Sequence, residues 1–313
     1  MKKSLTKIFK RMQKLDRRYI FIVVALAIII PLLIPFNSKT YVTEPTANIY
    51  KKIDTFSGKD DRAVLLCFSH NASTMAELFP MEIAVLRHCF ERDVKVFTLC
   101  FFPQAAPIIT YAINTAKEEY DVKPGIDYLN FGFRPAALMV PTMLGMGVDI
   151  TETLETDAEG RKLDNLPIMK NIVNYNEMNL VVDFSGSASI QSWITYARAK
   201  YGANLAAGIT AVMVADNYPF LQTGQILGMM RGMKGAAEYE KLVDVFAKKD
   251  KSYSKERVKE TTVPITGDTV KYEFKKARIG MNAQSVAHIM IIVFIILGNI
   301  GYFLTQKGKK KIK

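Results

Sequence analysis

The stretch LVVDFSGSASIQSW, residues 180–193, decides how the soluble-looking middle of this chain is read. Its first six residues are an apolar run ending in an acid and a serine, the pattern of a strand buried on both faces. Ser185 and the four residues after it are small or turn-forming. Ile190, Trp193, Ile194, Ala197 and Tyr201 then recur at helical spacing along one face. Strand, tight turn and amphipathic helix in that order form the first half of a βαβ unit.

The same alternation extends in both directions. AVLLCFS (63–69) is a continuous apolar run, and Thr74 with Glu77 has the spacing of a capping box before the stripe Leu78, Met81, Val85 and Cys89. VKVFTLCFF (94–102) predicts a second strand, with Pro103 opening a helix that reaches Tyr120. DYLNFGF and PAALMVPTMLG repeat the pattern less cleanly, because Pro141 interrupts the helix. NLVVDFS (179–185) predicts a fourth strand, ANLAAGITAVMVA (203–215) a fifth, and Pro219 a long helix to about Lys248. Strands separated by helices must pair in parallel through right-handed crossovers. The expected fold class is therefore α/β, a doubly wound and mostly parallel sheet, Rossmann-like or flavodoxin-like in strand order, flanked by N- and C-terminal transmembrane helices.

Those flanking helices follow from the apolar runs 19–36, with no charged residue, and 285–304, where His288 alone can titrate. The N-terminal run also has the shape of a cleaved signal, but PFNSKTY offers no small-x-small site, so an uncleaved signal anchor is expected. Eight basic residues precede the first run and three (Lys39, Lys51, Lys52) follow closely, which puts the N-terminus in the cytoplasm. Two spans return the C-terminus to the same side, leaving residues 37–284 extracytoplasmic and the protein in the cell membrane. The expected organisation is a basic tail (1–18), a span (19–36), a stalk (37–60), the α/β domain (61–248), a linker (249–284) in which TTVPITGDTVKYEF suggests a β hairpin, a span (285–304) and a second basic tail (305–313).

The formal charge of +12 lies wholly in those tails: between residues 19 and 304, 29 bases balance 29 acids. A neutral middle excludes a nucleic-acid partner, which would need a basic face. Cys67 and Cys100 fall in strand-like runs and Cys89 on an apolar helix stripe, places for small hydrophobes rather than for a disulfide or zinc site. ETDAEGRKLDNL (155–166) starts like a calcium loop but carries Leu166 where the bidentate acid belongs, so no metal is expected.

In doubly wound sheets ligands bind beyond the carboxyl ends of the strands. That rule collects His70 and Asn71 after the first strand, Gln104 after the second, Arg134 after the third, Asp183, Ser185, Gly186, Ser187 and Ser189 around the fourth, and Thr210, Asp216 and Asn217 after the fifth. The turn FSGSAS either cradles an anion with backbone N–H groups and Arg134, or is only a turn in which Ser187 caps the helix and Gly186 lets the chain bend. There is no GxGxxG, P-loop or GxSxG to choose between them, and no cofactor is identified. In GQILGMMRGMKGAAEYE (224–240), Gly224, Gly228 and Gly232 recur every fourth residue and would form a helix-packing strip, either within the domain or in a homo-oligomer; a glycine-rich loop before a helix starting at Gly235 fits equally.

Two functions compete on this basis. One is a membrane-anchored α/β ligand-binding or assembly module, whose partners are the lipid bilayer, entered by two helices, and either a second copy or another membrane protein. The alternative is a membrane-bound transferase or hydrolase acting on an anionic envelope substrate, with Asp183, His70 and Arg134 as its polar machinery.

Overall fold

The structure, a computed structural model, describes residues 16–34, 36, 41–59, 61–117, 120–246 and 276–309. The hairpin expected in 261–274 and most of the basic tails lie outside the described residues. The chain divides into two compact units, Lys39–Arg278 and a helical one formed by Met1–Ser38 with Ile279–Lys313.

The larger unit is built on six strands: β1 (Ala63–Ser69), β2 (Lys95–Cys100), β3 (Tyr128–Phe133), β4 (Leu180–Ser185), β5 (Leu205–Ile209) and β6 (Gly228–Arg231). Their order is β3-β2-β1-β4-β5-β6 and every neighbouring pair is parallel. This is the Rossmann-like order rather than the flavodoxin-like one. All residues of β1 and β4 are buried, as a sheet covered on both faces requires. On one face α3 (Met75–Glu91) packs Leu78, Met81 and Val85 toward the sheet and lies against β4, β5 and the helix after β6. The other face carries a continuous core of Leu65, Cys67, Phe97, Leu99, Ile190 and Trp193.

The remaining helices of this unit are α2 (Glu44–Asp54), α4 (Ala106–Lys117), α5 (Met139–Gly145), α6 (Ile150–Leu154), α7 (Ser189–Trp193), α8 (Val214–Gln222) and α9 (Gly232–Phe246). After Trp193 the chain continues through a π-helical stretch, Ile194–Arg198, and a last turn, Ala199–Tyr201.

Several expectations are corrected. Residues 44–54 are no stalk: Ile49, Tyr50 and Ile53 are buried, and α2 packs on β6 and α9. Tyr50 stacks on His88 at 3.8 Å, and His88 Nδ1 shares a 2.8 Å hydrogen bond with the Tyr239 hydroxyl. Burial lowers the His88 pKa to about 4, so the ring is neutral in that core. The long helix from Pro219 is instead α8, a turn, the short strand β6 and α9, which makes the sheet six-stranded. The glycine strip does not exist, because its three members belong to different elements. Gly224 (φ +69°) is in the turn, Gly228 starts β6, and Gly232 (φ +54°) joins β6 to α9. Gly228 and Gly232 both sit at close approaches: a Cβ at Gly228 would come within 2.4 Å of the Pro45 carbonyl oxygen and 2.6 Å of Ile49 Cγ1, and one at Gly232 within 2.9 Å of Glu77 Oε2 and 3.0 Å of Ala211 Cβ. The Thr74–Glu77 capping box is not formed either. Thr74 makes no side-chain cap, and Glu77 Oε2 accepts from Ala211 N at 2.8 Å, tying the β5 turn to α3.

In the helical unit, α10 (Lys276–Lys309) holds the one helix stretch among the described residues long and apolar enough to cross a membrane, Lys276–Phe303. The sequence suggests two. The N-terminal helix, α1 (Arg17–Leu33), has 17 residues, about 26 Å at 1.5 Å per residue, short of the roughly 30 Å of hydrocarbon. It ends where Ile34 precedes Pro35, since a residue before proline is driven out of the helical region, and Ile34 has φ −124° and ψ 79°. Asn282 Nδ2 donates to the Phe36 carbonyl within this unit.

Candidate functional site

Strand order reverses between β1 and β4, so the crevice where doubly wound proteins bind ligands opens beside Ser69 and Ser185, which pair across the two strands. Here that crevice is filled. Ser69 Oγ donates to Asp183 Oδ1 at 2.6 Å, and Asp183 Oδ2 lies 2.5 Å from Ser189 Oγ. Ser189 Oγ in turn lies 2.7 Å from Ser185 Oγ, which donates to the Ser187 carbonyl at 2.8 Å and accepts from Ser187 N at 2.9 Å. Asp183 and Ser185 have no exposed surface, and Ser69 and Ser189 are buried.

Counting protons favours a protonated Asp183 in this chain of contacts. Each hydroxyl has one proton to donate. Three successive contacts, Asp183 with Ser189, Ser189 with Ser185 and Ser185 with the Ser187 carbonyl, are best served by three protons, while the two serines supply two. A protonated Asp183 supplies the third, and an ionised one leaves Ser189 to share its proton. Burial acts the same way: it pushes the Asp183 pKa up to about 6, against the opposing pull of the Ser189 and Ser69 bonds. The carboxyl at the end of β4 is thus a neutral donor at mildly acidic pH, built into the fold.

His70 points inward as well. Nδ1 lies 3.1 Å from the Asn71 carbonyl, which can only accept, so Nδ1 carries a proton, and Nε2 meets Glu82 Oε1 of α3. Both side chains are buried, and burial raises the Glu82 pKa; one shared proton holds the pair together. Neither ring nitrogen faces a cleft. Arg134 is engaged elsewhere: its Nη2 donates to the carbonyls of Leu154 (3.0 Å) and Thr156 (2.7 Å), and so pins the loop after α6. The structure therefore groups Asp183, Ser185, Ser187 and Ser189 but leaves Arg134 bonded to a different loop. Asn71, Gln104 and Asp216 are exposed, while Thr210 and Asn217 are buried.

The helix cap also differs from the expected one. Ala188 occupies the N-cap of α7, and Ser185 ties down the turn through Ser187 N. Gly186 is needed for contact rather than for a special backbone angle, because a Cβ there would lie 3.1 Å from Thr74 Cγ2. In the acidic loop, Asp157 Oδ1 accepts from Glu159 N and Arg161 N, and Oδ2 is paired with the Arg161 guanidinium at 2.7 Å. Those oxygens are already used.

What lies open at the carboxyl ends of the strands is mixed: a hollow of about 420 Å³ beside the end of β3 is lined by Asn130, Arg134 and Asp157 among others, while the βα turns themselves are mostly small or apolar. Four of the βα turns are single 3₁₀ turns of small or apolar residues: Ala72–Thr74, Pro103–Ala105, Ala136–Leu138 and Ala211–Met213. They expose Leu138 (48%) after β3 and Val212 (82%) after β5, at separate places along the strand ends, and Tyr111 of α4 is 50% exposed. Between the β1 and β2 turns is an open hollow of about 630 Å³ lined by Asn71, Ser73, Gln104, Pro107, Ile108 and Tyr111, none of them charged. The sequence signal for this surface was the recurrence of Ala and Pro without charge after each strand, in NAST, PQAA, PAAL and TAVM.

Fold and site together define an α/β domain of Rossmann-like strand order in a chain that also carries an apolar helix of membrane-crossing length. No protein-family model, curated protein or solved structure matches this chain.

Proposed function

We propose that this chain is a membrane-anchored α/β binding module that uses the βα turns beyond the strand ends as its contact surface. The observation that carries this reading is the uncharged hollow between the β1 and β2 turns, with the half-exposed Tyr111 in its lining, while the polar groups at the switch point are buried and bonded to one another. An exposed aromatic ring at a concave, uncharged surface offers a contact for another apolar surface. Neutral lining groups, Asn71, Ser73 and Gln104, fit an uncharged ligand or partner surface with hydrogen-bonding edges. The transferase or hydrolase alternative would need Asp183, His70 and Arg134 to converge on substrate, and their hydrogen bonds point them away from a common cleft.

Two anchors remain the reading for the membrane part. Support for α1 as the second comes from its surface: Phe21 and Leu33 are more than two-thirds exposed, and apolar residues face outward all round it, as on a lipid-facing helix. A span shorter than the hydrocarbon can be met by local bilayer thinning. The basic residues up to Arg18 support a topology with both tails in the cytoplasm and the α/β domain outside.

A photo-crosslinking residue at Gln104 of the full chain in its native membrane tests the contact surface. Adducts should form, and Tyr111→Asp should abolish them while leaving the domain folded. Adducts that persist unchanged with Tyr111→Asp, or no adducts at all, refute the proposal.

A further inference from the structure

The unit Lys39–Arg278 begins and ends beside the same turn of α9. Near its start, Glu238 Oε2 accepts from Thr43 N at 3.0 Å and from Thr43 Oγ1 at 2.7 Å, and Lys234 lies 3.7 Å from Glu238 Oε1. At its end, Glu240 Oε1 accepts from Ala277 N at 3.1 Å and Oε2 from Arg278 N at 3.2 Å, with Arg278 Nε 3.8 Å away. Both carboxyl side chains are about 2% exposed. Tyr239, between them in sequence, is buried against His88. Acids two apart on a helix point to nearly opposite sides, so α9 stands between the two chain ends and holds one on each flank.

We propose that α9 is a two-sided latch for the ends of this unit, Glu238 fixing the N-terminal end at Thr43 and Glu240 fixing the C-terminal end at Ala277 and Arg278, and that the second closure tightens when Glu240 ionises. The physical reason lies in the bonds. The first N–H groups of a helix have no partner within it, and a carboxylate that accepts two of them satisfies both and faces the positive end of the helix dipole. A protonated carboxyl has one good acceptor oxygen left, so one of the two N–H groups loses its charge-assisted bond. The groups that face Glu240 are Arg278 and the first-turn amides of α10 and Arg87 of α3; Glu238, Tyr239 and Lys241 flank it on α9. Burial, the largest influence, raises the Glu240 pKa to about 7 and sets the change near neutral pH, while the Ala277 and Arg278 bonds pull it down; an opening that breaks those bonds and leaves Glu240 buried therefore costs most when the carboxylate is ionised.

Backbone hydrogen exchange on the full chain in detergent tests this, with rates divided by the intrinsic rate at each pH. From pH 6 to pH 8, protection at Ala277 and Arg278 should grow about ten-fold, the scale of gaining a charge-assisted bond. Glu240→Gln, which keeps one acceptor and cannot ionise, should flatten that response, while Thr43 protection should depend on Glu238 and not on pH. A wild-type protection that is the same at both pH values overturns the latch, and so does a pH response that survives in Glu240→Gln. If Glu240→Gln fails to protect the β1 amides, and so has not folded, the wild-type pH series decides alone.

Discussion

Replacing Asp183 with asparagine should make the protein's stability less dependent on pH, and the structure gives both sign and size. The native pKa of Asp183 is about 6, raised from 3.8, so the folded state binds a proton that the unfolded chain releases earlier. The stabilisation is complete below pH 3.8 and is lost as pH rises through about 6. A gap of about two pH units corresponds to about 3 kcal/mol for a fully buried group. Asparagine reproduces the protonated acid: its amide donates to Ser189 Oγ and its carbonyl accepts from Ser69, at every pH. Measured by urea unfolding of the full chain in detergent, Asp183→Asn should therefore gain about 2 kcal/mol on the wild type between pH 4 and pH 8, the remainder falling below pH 4. Trp193 is the only tryptophan, is fully buried in the neighbouring core, and reports the transition by fluorescence. Glu82 and Glu240, whose pKa values are also raised by burial, titrate in both proteins and cancel in the difference. A difference that stays flat, or that favours the wild type as pH rises, would show that Asp183 is ionised in the fold and that the proton count is wrong.

Three other outcomes are expected. Gly228→Ala should cost about 1–3 kcal/mol in the same urea assay, because the new Cβ meets the Pro45 carbonyl, a backbone atom that cannot swing aside; unchanged stability would mean α2 does not pack there. Arg134→Met should cost about 1.5–3 kcal/mol and speed amide exchange around residues 154–156, since a charged donor to two carbonyls is lost; a variant with the loop still protected would free Arg134 for another role. In a cysteine-free background, single cysteines at Ser57 and Ser254 should react with an impermeant reagent on intact cells, and protection of both would reverse the membrane topology.

Much of the fold was legible because buried parallel strands announce themselves as unbroken apolar runs: β1 has the bounds the sequence suggests, and β4 differs by one residue. β6 was hidden for the opposite reason. GMMR is short, opens with glycine, and is a strand only because α2 and β5 give it a surface to lie on. α2 escaped notice because EPTANIYKKID is polar in composition, although Ala47, Ile49, Tyr50 and Ile53 supply its buried side. At the candidate site, Asp183 and the serines were found from their place at a strand end. Their inward orientation was not, since it depends on Ser69, read only as the end of a strand. Glu82 was the clearest missed signal, an acid within a helix where every residue from Leu78 to Phe90 is buried.

The position of β1 sets a schedule for the protein's birth. It lies in the middle of the sheet, pairing with β2 on one side and with β4 on the other, where Cys67 meets Asp183. As the ribosome delivers the chain, β1 and β2 can associate early, through contacts close in sequence, but the other edge of β1 must wait until everything through residue 185 has emerged. During that interval an apolar strand has an open hydrogen-bonding edge, and pairings between distant segments form slowly. Newly made chains are then most exposed to sticking to one another, or to needing a chaperone, in the window between β3 and β4. Ser69, Asp183 and Ser189 close that window together, so the carboxyl at their centre is taken out of water only once the nascent sheet has joined its two halves.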